Sequence, residues 1–298
     1  MDRQGQGAYP YARIFGILQI SHELLTLGVT ASQRDVYYRL KTQHIVSSPD
    51  QVNQAIQEAA AMLGVARSAL GVCCASRGSV YGPLRYREAA SEPWQDCSQC
   101  PRSISGDSRA FARLAFDSEA SYVVVVEKDA VFQRLAEDGF AEETGAILVT
   151  AKGMPDMATR AFLHSLCTAL PHLQQFGVVD WNPSGLNILS VYKHGSPDRG
   201  GAHCLPGLQW LAARAEMLHG VPDDALQGPL TSRDKALIRT LKGGPLQEDE
   251  AVIAELDAML EMDAKAEIEA LYDQVGIDSF SEALAHDMML MGEEAMDL

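Results

Sequence analysis

The sequence predicts an α+β protein of two domains, the first helical and the second an α/β domain with a mainly parallel sheet. Helical hydrophobic spacing fills the first part of the chain, whereas from Ser121 onward short apolar runs alternate with amphipathic segments. The charge also divides. Residues 1–113 carry 12 Lys and Arg against 9 Asp and Glu, a net of +3, and residues 114–298 carry 12 against 31, a net of −19. Such asymmetry indicates domains with different partners, although an acidic surface on an ordinary enzyme explains the second half equally well.

Three helices are predicted in the first domain. Apolar residues follow helical spacing over 14–25, with Gly28 as a stop, and again over 52–63. Between them, Ser32 precedes Asp35 by three residues, which is a capping-box-like start for a second helix. A strand is predicted at 70–75. Gly78 and Gly82 mark the turn of a small hairpin, so the plan is that of a winged helix.

Parallel strands are predicted in the second domain. The runs at 122–126, 146–149 and 176–179 are continuously apolar, as expected for strands buried on both faces. Helical segments separate them, which implies right-handed crossovers. The predicted helices cover about 130–137, 156–170, 185–193 and 251–275. Residues 85–117 show no clear period and are expected to connect the domains.

Polar side chains follow two of these strands. Glu127 comes directly after the first strand, and Asp180 and Asn182 follow the third. Ligands bind beyond the carboxyl ends of parallel strands, and carboxylate and amide oxygens suit Mg²⁺. The sequence therefore predicts a magnesium site made by these three residues. The alternative is that the polar residues cap a following helix, as Asp180 before Pro183 is placed to do.

Two adjacent tyrosines, Tyr37 and Tyr38, lie in the second predicted helix. In such pairs, one ring usually packs into the core and the other lies at the rim of the helix. Arg34, however, shares a face with Tyr38, and a guanidinium there can bind phosphate and favour the phenolate. A phenol has an ordinary pKa of about 10, so a nucleophilic tyrosine needs such help. Together with the acidic site, this pattern favours covalent attachment to DNA through tyrosine.

Glycine-flanked cations and a cysteine pair allow two interpretations each. Arg77 precedes Gly78, and Lys152 precedes Gly153, so either cation can approach a sugar–phosphate backbone or simply lie in a turn. Cys97-Ser-Gln-Cys100 indicates a surface loop with two thiols or half of a metal site. No apolar run reaches the ~20 residues of a membrane span, and no secretory signal is recognisable. An intracellular protein without a membrane partner is expected.

Five short stretches occur in an order and spacing that are specific as a set. They are Arg34–Tyr38, Val126–Phe132, Thr150–Asp156 with Thr159 and Arg160, Val179–Gly185 with Tyr192–Ser196, and Lys265–Leu271. The chain in this respect resembles the meiotic double-strand-break proteins of eukaryotes, which are relatives of the topoisomerase VI A-type protein. The resemblance covers nearly the whole chain, from about Ala12 onward.

The resemblance implies a division of labour between domains. Residues 1–90 would form a winged-helix DNA-binding domain with the catalytic tyrosine, residues 91–117 a linker, and residues 118–298 a Toprim metal-binding domain with C-terminal helices. The activity implied is that of a type IIB topoisomerase-like DNA transesterase dependent on Mg²⁺, which makes protein-linked 5′ double-strand breaks. Partners implied are double-stranded DNA, a second copy in a homodimer, other meiotic break factors and a topoisomerase VI B-like subunit. The location implied is the nucleus and its chromosomes.

The resemblance also assigns roles to individual residues. Tyr38 would be the nucleophile with Arg34 beside it, and in the homodimer it would meet the metal of the second copy. Glu127 would assist proton transfer or hold metal, and Asp180 would be a metal ligand. The DNA contacts are expected at Arg77, Lys152 and Arg160. Asn182 stands where the family often has aspartate, a change that removes a charge from the metal motif.

Three other functions remain open. A general topoisomerase VI protein of the A type, which cuts and reseals DNA, shares the same motifs. A catalytically weak, DNA-binding structural homologue is kept open by Asn182. A Toprim nuclease using metal-bound water would leave free DNA ends rather than protein-linked ends.

Overall fold

The computed structural model describes residues 8–65, 67–73, 77–106, 113–195, 203–222, 225–276 and 279–296. By compactness the chain divides into two units. One comprises Met1–Ser76 with Ser105–Arg113, and the other comprises Arg77–Ile104 with Leu114–Leu298.

The first unit is a small helical domain. Its elements are α1 (Ala8–Leu27), β1 (Ala31–Ser32), α2 (Gln33–Thr42), α3 (Pro49–Leu63) and β2 (Val72–Cys73). The predicted capping box is present, because the Ser32 side chain accepts a hydrogen bond from the Asp35 N–H and the Asp35 side chain accepts one from the Ser32 N–H. Apolar side chains from all three helices, among them Ile17, Val36 and Ile56, are fully buried together.

The three predicted helices are present, but the winged-helix assignment is not confirmed. β2 pairs in parallel with β1, and the described part of this unit contains no hairpin. The end of the predicted strand, residues 74–76, lies outside the described residues. Residues 79–81, expected in the hairpin, form a strand of the second unit. Val80 is fully buried and Tyr81 nearly so, and a buried sheet accommodates such residues better than an exposed wing does.

The second unit is built on a mainly parallel six-stranded sheet, as predicted. Its strands and those of a smaller antiparallel sheet are β3 (Ser79–Tyr81), β4 (Arg85–Arg87), β5 (Gln95–Asp96), β6 (Arg102–Ser103), β7 (Ala115–Asp117), β8 (Tyr122–Val126), β9 (Ala146–Thr150), β10 (Gln174–Val178) and β11 (Gln209–Ala212). The large sheet has the order β11-β10-β8-β9-β3-β6, and the small sheet has the order β5-β4-β7. In the large sheet, β8 pairs in parallel with both β9 and β10, and β10 with β11. β8 and β9 are almost entirely buried, which explains their unbroken apolar runs.

Helices follow the strands of this sheet and continue beyond it. They are α4 (Asp129–Glu137), α5 (Phe140–Thr144), α6 (Met157–Ala169), α7 (Pro183–His194), α8 (Ser232–Lys242), α9 (Glu250–Met262), α10 (Ala270–Val275) and α11 (Phe280–Met296). Among the described residues, none of the helices has the length and apolar character needed to cross a membrane.

The single helix predicted at 251–275 is in fact two helices, α9 and α10. The first ends at Met262, and the residue that follows, Asp263, has a left-handed φ of 47° that stops the helix. Residues 264–269 then run back as a return segment. Ala266 forms an antiparallel bridge with Trp181, and Lys265 forms one with Gln227. The break therefore brings a distant part of the chain to the end of β10.

The predicted domain limits differ from the compact units. Residues 77–90, assigned to the first domain, contribute β3 and β4 to the sheets of the second unit. The predicted linker at 91–117 contains β5, β6 and β7. Backbone pairing of these short strands was not visible in the sequence, because each has only two or three residues. Cys97 is also buried rather than in a surface loop, whereas Cys100 is exposed.

Candidate active site

Tyr38 lies on the exposed face of α2 in the first unit. Its side chain is 48% exposed, and the guanidinium carbon of Arg34 is 5.7 Å from the centre of its ring. A hydrogen bond and electrostatic attraction between Arg34 and Tyr38 raise the pKa of Arg34, which is itself fully exposed. The predicted pairing of a tyrosine with an arginine one helical turn earlier is therefore present, and phosphate can approach both groups.

Tyr37 has a different environment from its neighbour. It packs against the helical core of the first unit, and its hydroxyl donates a hydrogen bond to the carbonyl oxygen of Ser47 at 3.4 Å. The two rings are 5.3 Å apart and tilted. The helix thus anchors one tyrosine and leaves the other accessible, as the core-and-rim pattern of adjacent aromatics requires.

Glu127 and Asp180 meet at the carboxyl ends of β8 and β10 in the second unit. These strands are neighbours, and the N–H of Glu127 donates to the Val178 carbonyl at 2.9 Å. The N–H of Asp180 donates to Oε2 of Glu127 at 3.0 Å. The parallel register therefore brings together two acids that are 53 residues apart in the chain, as the strand pattern predicted.

Burial disfavours the charged form of both carboxyl groups. Burial raises the pKa of Glu127 to about 7, and the negative charge of Asp180 adds to this rise. Burial also raises the pKa of Asp180, although a hydrogen bond from the Ile268 N–H and the charge of Lys128 act in the opposite direction. A bound cation would relieve this repulsion, so the pair has the electrostatics of a cation site.

Asn182 has a helix-capping role. Its side-chain oxygen accepts a hydrogen bond from the Gly185 N–H at 2.8 Å and so caps α7. Its amide nitrogen faces Oδ2 of Asp180 at 3.4 Å. The oxygen predicted to bind metal thus also serves as the acceptor that the helix N-terminus needs.

Three further side chains at the site, those of Lys128, Glu267 and Glu269, were not predicted as site residues. Lys128 places its Nζ 3.1 Å from Oδ1 of Asp180, 3.1 Å from Glu267 and 2.5 Å from Glu269. Burial lowers the pKa of Lys128, but its bonds to Glu269 and the charge of Asp180 outweigh burial and raise it. The motif at 265–271 hinted at these glutamates, but their contact with Lys128 depends on the return segment.

Lys152 and Arg77 lie in exposed turns, as their flanking glycines suggested. Lys152 has a left-handed φ of 58°, and its Nζ is 3.2 Å from Oδ2 of Asp129. The N–H of Gly153 donates to the Glu127 carbonyl at 2.9 Å, which brings this turn next to the acidic pair. Arg77 donates its backbone N–H to Asp156 at 3.0 Å and leaves its side chain exposed. Both remain predicted DNA contacts.

Arg160, the third predicted DNA contact, is buried in the structure. Only 2% of this residue is exposed, because it lies on the face of α6 that packs into the unit. Its Nη2 approaches the sulfur of Met157 at 3.7 Å. This enclosure gives the predicted DNA contact at Arg160 no support, and the sequence position alone did not show which face of the helix it occupies.

The residues present suit a magnesium ion bound by two carboxylates. No group of three or more His, Cys, Asp or Glu within the described residues is arranged to hold a metal. Mg²⁺, however, often binds one or two carboxylates and completes its shell with water and substrate phosphate. Glu127 and Asp180 would hold it here, and the metal-binding role of Asn182 stays a prediction.

Two family models match the chain. Residues 122–284 match the model of the Toprim domain shared by the A-type protein of topoisomerase 6 and Spo11, and residues 9–72 match the model described as "Type IIB DNA topoisomerase". The first match alone covers more than half of the chain and contains both members of the acidic pair. The Toprim domain expected from the sequence is therefore confirmed.

Similar proteins are found among meiotic recombination proteins and topoisomerases. The chain is 36% identical over 289 residues to meiotic recombination protein SPO11-2 of Oryza sativa subsp. indica, covering 95% of this chain and 74% of that protein. It is 35% identical over 272 residues to SPO11-2 of Arabidopsis thaliana, covering 89% and 70%. It is 33% identical over 262 residues to the A3 protein of DNA topoisomerase 6 from Oryza sativa subsp. indica, covering 86% and 58%. The chain therefore belongs to the family formed by Spo11 and the A-type proteins of topoisomerase 6.

Proposed function

We propose that this protein cleaves duplex DNA by tyrosyl transesterification and makes the protein-linked double-strand breaks that initiate meiotic recombination. The observation that carries the proposal is the contrast on α2 between an anchored Tyr37 and an accessible Tyr38 beside Arg34. Membership of a family that includes meiotic recombination proteins supports the biological setting.

In this reaction, Tyr38 exchanges one phosphodiester for another. Its oxygen forms a bond to phosphorus, the bond from phosphorus to the 3′ oxygen breaks, and the protein stays linked to the 5′ end. The phenol loses its proton, and the leaving 3′ oxygen gains one. Arg34 would stabilise the phenolate and hold a phosphate oxygen, because a guanidinium binds both as a charge-assisted donor.

Glu127 is proposed to hold Mg²⁺ together with Asp180 or, in the absence of a bound metal, to exchange protons at the cleavage site. A carboxyl group with a pKa of about 7 is partly protonated near neutral pH, which suits general acid–base catalysis. Asp180 is proposed as a metal ligand. When bound, Mg²⁺ would neutralise the developing charge on the phosphate.

DNA contacts and partners complete the proposal. Lys152 and Arg77 are the exposed cations proposed to bind the DNA backbone. A homodimer is proposed, in which Tyr38 of one copy meets the acidic pair of the other. A topoisomerase VI B-like subunit, further break factors and a location on nuclear chromosomes belong to the same proposal.

The test is recovery of covalent protein–DNA complexes from meiotic cells under denaturing conditions. Wild type, Tyr38→Phe and the matched control Tyr37→Phe are compared, and the linked peptide is identified by mass spectrometry. We expect DNA attached at Tyr38, complete loss of the adduct in Tyr38→Phe, and retention of the adduct in Tyr37→Phe.

Other outcomes favour other functions. Normal breaks without any adduct in Tyr38→Phe would favour the structural homologue, and free ends in wild type would favour a nuclease. The match to the A3 protein of topoisomerase 6 supports a general topoisomerase role as the second candidate. Adducts that form equally in non-meiotic cells would favour that candidate.

A further inference from the structure

We propose that Lys128 is a resident cation of the acidic site, which neutralises Asp180 when no divalent metal is bound and thereby lowers the affinity of the site for Mg²⁺. Glu267 and Glu269 hold it in place. The inference rests on the proposed binding of Mg²⁺ by Glu127 and Asp180, and it assigns Lys128 as a positioning residue.

The contacts of Lys128 connect three distant parts of the second unit. Its Nζ lies within 3.1 Å of carboxylate oxygens on Asp180, Glu267 and Glu269, and the shortest contact, to Glu269, is 2.5 Å. The Lys128 side chain is 21% exposed and that of Asp180 only 8%, so water screens their attraction weakly. Three carboxylates thus surround a single ammonium.

The return segment keeps the two glutamates in position. The N–H of Ala266 donates to the Trp181 carbonyl at 2.9 Å, and the N–H of Ile268 donates to Oδ1 of Asp180 at 3.0 Å. Glu267 is held from its other side by the Gln227 side chain at 3.0 Å. The glutamates on either side of Ile268 are therefore fixed by backbone pairing and do not reach the lysine by chance.

The two oxygens of Asp180 have different neighbours. Oδ1 accepts from both Lys128 and the Ile268 N–H, whereas Oδ2 faces the amide of Asn182 at the long distance of 3.4 Å. A divalent ion at Oδ2 would therefore lie on the same carboxylate as the ammonium. The two cations repel each other, and the ammonium has Glu269 and Glu267 to retain it when the metal binds.

The test is calorimetric titration of the full chain with MgCl₂ at fixed ionic strength, paired with thermal unfolding in EDTA and in Mg²⁺. For Lys128→Met we expect the Kd for Mg²⁺ to fall about tenfold, and the rise in Tm caused by Mg²⁺ to increase. Lys193→Met is the matched control, because the Lys193 side chain is 16% exposed and pairs with Asp249 at 2.6 Å, outside the return segment. A Kd for Lys128→Met no lower than that of the control would overturn the proposal.

A double-mutant cycle tests the holding role of Glu269. Glu269→Gln should raise the Kd several-fold, since Lys128 then pairs more fully with Asp180. In the Lys128→Met background, Glu269→Gln should alter the Kd for Mg²⁺ by less than about twofold. Additive effects would overturn this role. The double variant also balances the charge, so it serves as the test protein if Lys128→Met alone does not fold.

Asp180→Asn separates this inference from the proposed function. If Asp180→Asn loses Mg²⁺ binding while Lys128→Met has the same Kd as the control, the proposed metal site stands and only the role of Lys128 is overturned. Undiminished Mg²⁺ binding in Asp180→Asn overturns the proposed metal site itself.

Discussion

Glu127 shows how burial tunes a single residue. Its carboxyl group lies at the end of a buried strand beside Asp180, and the pKa rises from 4.5 to about 7. Between pH 4.5 and about 7, the folded protein still holds a proton on this carboxyl group that the unfolded chain has already released. The free energy of unfolding should therefore fall as pH rises through this window.

Replacement of Glu127 by Gln should remove this pH dependence. We expect wild type to lose on the order of 2 kcal/mol relative to Glu127→Gln between pH 4.5 and 7, with no further change above that range. Urea unfolding in EDTA at several pH values measures the difference. Parallel pH profiles for the two proteins would show that the carboxyl group is not perturbed in this way.

Asn182 combines a structural role with the loss of a charge. It caps α7 and directs its amide toward Asp180. Asp can replace it as a cap, whereas Ala cannot.

Substitutions at Asn182 should separate these two roles. Asn182→Ala should cost about 1 kcal/mol of stability, which is the typical value of a lost N-cap. Asn182→Asp keeps the cap but adds a carboxylate beside Asp180, so Mg²⁺ should bind several-fold more tightly and raise the Tm more than in wild type. Titration calorimetry and thermal unfolding test both. Unchanged Mg²⁺ affinity in Asn182→Asp would place the metal away from this residue.

At the scale of elements, the start of α7 is packed tightly against the end of β10. A Cβ atom on Gly185 would collide with the Asp180 carbonyl oxygen and lie 3.1 Å from the Asp180 nitrogen. The first turn of α7 therefore needs glycine at position 185, because the backbone atoms of Asp180 have no rotamer by which to move away.

Gly185→Ala should accordingly destabilise the protein by about 1–3 kcal/mol and weaken Mg²⁺ binding through displacement of Asp180. Gly207→Ala is the control, since a Cβ there would meet no atom closer than 3.8 Å. Denaturant unfolding and Mg²⁺ titration of both variants test the prediction. Equal stability of the two would mean that the contact relaxes without cost.

At the scale of the whole molecule, the candidate nucleophile and the acidic pair belong to different compact units. With a net charge of −16, the long-range field of the chain repels DNA. Under the proposed function, the attraction of DNA would therefore come from local cations. Arg34, Arg77 and Lys152 are exposed enough to provide it, whereas Arg160 is not.

The sequence by itself determined the features that depend on neighbouring residues. The capping box at Ser32, the shared face of Arg34 and Tyr38, and the buried parallel strands all follow from short-range spacing and polarity. The meeting of Glu127 and Asp180 followed as well, because parallel strands that are adjacent must end at the same edge.

Only the tertiary structure decided the features that depend on distant packing. β3 joined the sheet of the second unit instead of a wing, Arg160 was enclosed, and Asn182 became a helix cap. The return segment brought Glu267 and Glu269 to Lys128 across about 140 residues of chain. Hydrophobic periodicity shows which face of an element is buried but not what it is buried against, so contacts of this range arise only when the whole domain has packed.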